Sequence, residues 1–138
     1  MNETELSRIV ADAAQKALRN AGGVGLEADD YRRALAYELK QRELDVSQQT
    51  IPPGNYGGVR IRRDVRIDLI VNDLLIVECQ AAPSYDPKFE AEALAHLRMT
   101  GLRMALIVNF GSHPLRDGIR RVLNELPNKQ SAKDEQGE

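Results

Sequence analysis

Residues 66–81 read Arg-Ile-Asp-Leu-Ile-Val-Asn-Asp-Leu-Leu-Ile-Val-Glu-Cys-Gln-Ala, and they restrict the fold more than any other stretch of the chain. Two runs of Ile, Val and Leu flank Asn72-Asp73, a pattern that predicts two neighbouring strands joined by a tight turn. Each run carries one carboxylate, Asp68 in the first and Glu78 in the second. An ionised carboxylate inside a sheet is costly unless it is paired or bound to a cation. Either both acids face solvent from a one-sided sheet, or they meet across the hairpin and hold a metal ion between them.

Register separates the two readings. With a two-residue loop, Asn72-Asp73, Asp68 faces Val77 and the acids fall on opposite faces. With a three-residue loop, Asn72 to Leu74, Asp68 lies across from Glu78. A slip of one residue flips every side chain, so a shared cation requires an odd loop or a bulge. Three-residue hairpin loops are common.

The 138 residues are long enough for one domain with a sizeable core. With 42% hydrophobic and 29% charged residues, the composition is that of an ordinary globular protein. No apolar run reaches the length of a membrane span, and the N-terminus does not read as a secretory signal. One cysteine, Cys79, excludes an internal disulfide framework and fits a cytoplasmic location. A formal net charge of −2 gives no global basic field, so any contact with nucleic acid has to come from a local patch.

Leu6, Ile9, Val10, Ala13, Ala14, Ala17 and Leu18 recur at helical spacing and predict an amphipathic helix over 3–21. The glycines of 20–25 end it. A second helix is expected over 27–42, with Tyr31, Ala34, Leu35 and Leu39 as its buried stripe. At about 100° per residue, Glu27 and Glu38 project within roughly 40° of Tyr31. Both can still reach water as edge carboxylates, and Glu27 also suits the first turn, where the helix dipole favours an acid.

Residues 44–59 predict strand, turn and strand. Arg60, Arg62, Arg63 and Arg66 follow, offset by Asp64. This basic stripe reads either as a solvated outer strand or as a set of phosphate contacts. A third helix is expected over 88–100, with Phe89, Ala93, Leu94 and Leu97 inward. Lys88, Glu92 and His96 flank them at four-residue spacing, and Glu92 and His96 read as surface partners. Residues 104–110 form an apolar run suited to a buried strand. A last helix over 114–126 would carry Arg116, Arg120 and Arg121, and 128–138 reads as a mobile polar tail. This order implies an α/β fold, a mixed central sheet flanked by helices, with residues 1–127 as its single domain.

Residues 25–31, Ala34-Leu35-Ala36-Tyr37-Glu38-Leu39, 53–58, Arg66-Ile67-Asp68-Leu69, Ile76-Val77-Glu78, Thr100-Gly101-Leu102 and Asn109-Phe110-Gly111 together resemble the GxxExxY family, a branch of the PD-(D/E)XK nuclease superfamily. The resemblance implies a restriction-endonuclease-like core carrying the acidic hairpin. It also implies that Asp68 and Glu78 match the two acids that hold a divalent metal. The sequence departs from the family pattern at four places. The glutamate of the family's name falls at Ala28, with Glu27 beside it. The lysine two positions after the second acid is Gln80, a helical glutamine is Glu92, and a following tyrosine is His96.

Phosphodiester hydrolysis needs an activated water and a neutralised transition state, both of which Mg²⁺ or Mn²⁺ can supply. Asp68, Glu78 and the Cys79 carbonyl would give the oxygen ligands such ions prefer. Gln80 would orient the water without a lysine's charge, and Glu27 or Glu92 would add a third acid. Two functions follow. One is a metal-dependent nuclease acting on DNA through the arginine stripe; the other is a silent module of the same fold that binds nucleic acid, a protein or a second copy of itself. The Cys79 side chain alternates away from Glu78 and Gln80 and reads as core. Neither His96 nor His113 has a Ser or Cys partner at catalytic spacing, and no Gly-rich phosphate loop follows a strand.

Overall fold

The computed structural model describes residues 1–124; the tail expected over 128–138 and the last three residues of the expected domain lie outside the described residues. Helix α1 (Glu3–Asn20) begins where the Asn2 side chain accepts the Glu5 N–H at 2.8 Å and the Glu5 carboxylate accepts the Asn2 N–H at 2.9 Å. This reciprocal cap satisfies two donors that a helix start otherwise leaves free. Helix α2 (Ala28–Gln41) packs against α1. Between them Glu38, 5% exposed, receives the Asn20 amide at 3.1 Å and lies 3.7 Å from Lys16 Nζ. Glu38 is thus tied to α1 rather than left at a solvated edge.

Five strands form a mixed sheet in the order β1-β4-β5-β6 and then the last strand, β7. They are β1 (Val46–Ile51), β4 (Val65–Val71), β5 (Leu75–Gln80), β6 (Met104–Asn109) and β7 (Ile119–Leu123). A separate ribbon, β2 (Gly54–Tyr56) with β3 (Val59–Ile61), stands outside it. Strands β5 and β6 run parallel and are joined through α3 (Lys88–Thr100), so they make a crossover unit whose helix covers one face of the sheet. Phe89, Ala93 and Leu97 of α3 bury against Ile70, Ile76, Ala105 and Ile107. On the other face Leu69, Val71, Leu75, Val77 and Cys79 pack with Leu6, Val10, Leu35 and Leu39 of α1 and α2. Every residue of β6 is buried, as a strand covered on both sides requires. The expected mixed sheet between helices is therefore the observed fold.

The expected helix over 114–126 is not there. Residues Leu115–Gly118 make one 3-10 turn, and Ile119–Leu123 form β7, antiparallel to β6. Gly118 is wedged against the Ser112 side chain, and a Cβ there would lie 2.7 Å from the Asn109 carbonyl oxygen. That contact fixes the chain at the end of β6, and the β-branched Ile119 and Val122 then complete the sheet by pairing with Val108 and Ala105. Arg121 donates to Ser7 Oγ at 2.9 Å and Arg120 lies over the Tyr85 ring at 4.7 Å, so two of the three arginines placed on that helix brace the sheet edge.

Candidate metal and nucleic-acid site

The hairpin has the three-residue loop. Leu69 pairs with Val77, Ile70 with Ile76 and Val71 with Leu75, leaving Asn72 to Leu74 to turn. Asn72 and Asp73 both take φ of +54°, a region that Asn and Asp tolerate better than most residues. Asn72 is held there by two bonds to Asp45, its N–H reaching the Asp45 carbonyl at 2.8 Å and its side chain receiving the Asp45 N–H at 2.9 Å. The next step along this register sets Asp68 against Glu78, but the backbone pairing stops one residue earlier.

A bulge explains why it stops. Ser47 of β1 pairs with Ile70 and Gln49 with Ile67, so Asp68 and Leu69 together oppose the single residue Gln48. The alternation of β4 slips at that point, and Ile67 and Ile70 both pack toward α3. Bulges redirect side chains in this way. Here the Asp68 carboxylate turns to the neighbouring strand, and its Oδ2 accepts the Cys79 N–H at 2.9 Å. The side chain thereby satisfies a donor that the interrupted ladder leaves over.

Glu78 is 5% exposed, and its Oε2 lies 2.6 Å from His96 Nδ1 on α3. The Lys88, Glu92 and His96 stripe of α3 thus faces the strand carrying Glu78 and Gln80, and His96 pairs with Glu78 rather than acting as a surface partner of Glu92. Burial works against a charged His96, but the Glu78 contact and the nearby Asp68 and Glu92 carboxylates outweigh it and raise the imidazole pKa above 6.5.

Gln80, Glu27, Lys88 and Glu92 line one open pocket of about 550 Å³. Glu27 is the residue just before α2, and its N–H is received by Asp30 at 3.2 Å. Asp68 and Glu78 are not among the residues lining that pocket; they lie on the two hairpin strands, β4 and β5. The end of β5 is fixed by Asn109, fully buried, whose side chain accepts the Ala82 N–H at 2.8 Å and donates to the Ala82 carbonyl at 3.1 Å. A Cβ at Gly111 would overlap the Ala82 backbone, so the Asn109-Phe110-Gly111 sequence serves the close approach of β5 and β6 beside Gln80.

The four arginines do not behave alike. Arg60 in β3 and Arg62 and Arg63 just after it are exposed, and among the described residues none forms an ion pair. Arg66 bridges two acids, 3.3 Å from Asp29 Oδ1 and 3.7 Å from Asp68 Oδ1. Asp29 also receives Arg32 Nε at 2.8 Å, which with the Arg33 and Arg66 charges lowers its pKa against the pull of desolvation. Asp29 and Arg32 are polar groups around the acids that the sequence left unmarked, and His96, expected to partner Glu92 at the surface, is a third whose partner is instead Glu78. The helical periodicity marked where they fall on α2 and α3, but only the packing of those helices on the hairpin brings them to it.

The Cys79 side chain lies in the apolar layer beneath α1 and α2. Burial pushes its thiol well above the ordinary range, with Asp68 and Glu78 adding to the effect. His113 is exposed. Among the described residues no group of three or more His, Cys, Asp or Glu is arranged to hold a metal ion. Mg²⁺ makes no such demand, since it keeps several waters and takes one or two carboxylates. Asp68 and Glu78, each with one oxygen committed to a protein donor, are carboxylates, the ligand type that such an ion takes.

No helix among the described residues is long and apolar enough to cross a membrane. Neither the curated proteins nor the solved structures contain a match to the chain. The sequence model of the PD-(D/E)XK nuclease superfamily matches residues 4–122, a span that takes in α1, α2, the acidic hairpin, α3 and nearly all of β7. Members of that superfamily generally use divalent metals. With a mixed sheet between helices and a bulged hairpin bearing Asp68 and Glu78, the chain belongs to the PD-(D/E)XK nuclease superfamily.

Proposed function

We propose that this protein is a nuclease of the GxxExxY branch that hydrolyses DNA phosphodiester bonds in the cytoplasm, using Mg²⁺ or Mn²⁺. The observation that supports the reading is the contact that carries the Asp68 carboxylate across to β5, where its Oδ2 accepts the N–H of Cys79, the residue next to Glu78, at 2.9 Å. Asp68, Glu78 and the Cys79 carbonyl hold the cation; when bound, it supplies Lewis acidity and lowers the pKa of water. Gln80, two residues after Glu78 on β5 and lining the open pocket, orients the attacking water through its side-chain amide. Glu27, which lines that pocket with Gln80, is the third acid of the reading. Arg60, Arg62 and Arg63, exposed on and after the β2–β3 ribbon, take the phosphate backbone, while Arg66 balances Asp29 and Asp68.

The test is cleavage of single- and double-stranded DNA with Mg²⁺ or Mn²⁺, beside an Asp68→Ala variant. Metal-dependent cleavage that falls by about 10²-fold or more in the variant supports the assignment. Cleavage that survives the substitution overturns it. A second reading, a nuclease fold that binds nucleic acid without cutting it, is favoured by one observation: Glu78 is already engaged by His96. Salt-sensitive DNA binding with no cleavage under any metal is its expected result.

A further inference from the structure

We propose that His96 is a positioning residue, which holds the Glu78 carboxylate by one oxygen so that the other is presented to a divalent cation. This rests on the metal-binding reading of Asp68 and Glu78 given above. Glu78 is almost wholly enclosed, its side chain only 6% exposed, and a buried carboxylate needs a partner. His96 Nδ1 meets Oε2 at 2.6 Å, a length typical of a charge-assisted hydrogen bond. No contact engages Oε1 among the described residues. A hydrogen bond to one oxygen fixes the carboxylate and leaves the other oxygen fully open, whereas a carboxylate bound at neither would rotate.

The opposite acid is held in the same manner from another direction. Asp68 Oδ2 accepts the Cys79 N–H, while Oδ1 meets only Arg66, at 3.7 Å. One acid is fixed by a backbone donor on β5 and the other by an imidazole on α3, and each keeps a second oxygen. His96 in turn is set by its helix, where Leu97 next to it is fully buried and its own carbonyl accepts the Thr100 hydroxyl at 2.9 Å. Hydrogen bonds from outside a coordination shell fix ligand orientation, and removing one typically weakens metal affinity about 10- to 100-fold.

The experiment is calorimetric titration of Mn²⁺ into the wild-type protein, His96→Leu, His96→Asn and Asp68→Ala, with folding checked by circular dichroism. Asn places an amide N–H close to the position of Nδ1; Leu places none. The expected result is a loss of about 10- to 100-fold in Mn²⁺ affinity for His96→Leu, recovery to within about 3-fold for His96→Asn, and loss of binding for Asp68→Ala. Equal affinity in wild type and His96→Leu overturns the role of His96 and leaves the metal site standing. A loss in both His96 variants also overturns it, since bulk rather than the donor would then matter. No Mn²⁺ binding by the wild type removes the metal reading and this proposal with it. Should His96→Leu fail to fold, nitrogen-15 spectra of the wild-type imidazole decide. Saturating Mg²⁺ is expected to leave Nδ1 protonated, and loss of that proton overturns the assignment.

Discussion

Tyr31 and Phe110 lie face to face, with ring centroids 4.6 Å apart and planes 6° from parallel. The stack joins α2 to the end of β6, and the Tyr31 hydroxyl extends it into the loop before Glu27. That hydroxyl donates to the Gly23 carbonyl at 2.6 Å and accepts the Leu26 N–H at 3.1 Å. Phe110→Ala is expected to lower stability by about 3–5 kcal/mol in urea unfolding, as loss of a fully buried ring does. Tyr31→Phe keeps the stack and removes the loop bonds. Its expected effect is smaller, about 1–2 kcal/mol, with faster amide exchange at Leu26 and Glu27.

The arginines divide into two groups, and salt dependence distinguishes them. Replacing Arg60, Arg62 or Arg63 by Ala should each lower the slope of log affinity for DNA against log salt by about 1. Their side chains have no ion-pair partner among the described residues, so folding stability should change little. Arg66→Ala leaves Asp29 and Asp68 facing one another without their bridge. Its main effect should be on cation binding, which a titration with Mn²⁺ would register.

The His96–Glu78 contact makes the metal-free protein sensitive to alkali. His96 holds its proton more tightly folded than unfolded. Its contribution is therefore complete below the ordinary imidazole pKa of 6.5 and is lost as pH rises through the higher folded value. Melting temperature measured from pH 6 upward should fall through that window. His96→Asn, which cannot titrate, should flatten that part of the curve, and an unchanged slope would contradict the assignment.

Cys79 should be inert. Burial raises its thiol well above the usual range, and two carboxylates raise it further, so little thiolate exists near neutral pH. Thiol reagents at pH 8 should label the folded protein far more slowly than the urea-unfolded chain. Equal rates would place the sulfur in solvent rather than under α1 and α2.

The sequence by itself determined most of the local elements and the layered α/β architecture. Apolar spacing located α1, α2 and α3, and the unbroken run of 104–110 marked a strand buried on both faces, because these patterns depend only on helical and strand periodicity. The same periodicity placed the Cys79 side chain opposite to Glu78 and Gln80. Sequence could state that Asp68 and Glu78 would meet only with an odd loop or a bulge, and it could not choose between loops. Tertiary structure set the three-residue loop, through two Asp45 contacts that hold Asn72 in a left-handed turn, and added a bulge opposite Gln48. It also turned 119–123 from expected helix into strand, since the free edge of β6 and the wedge at Gly118 outweigh a modest helical pattern. The partnership of His96 with Glu78 lies eighteen residues apart in the chain. It exists because a parallel crossover lays α3 over β5, and side chains brought together by such packing leave no signature in spacing along one element.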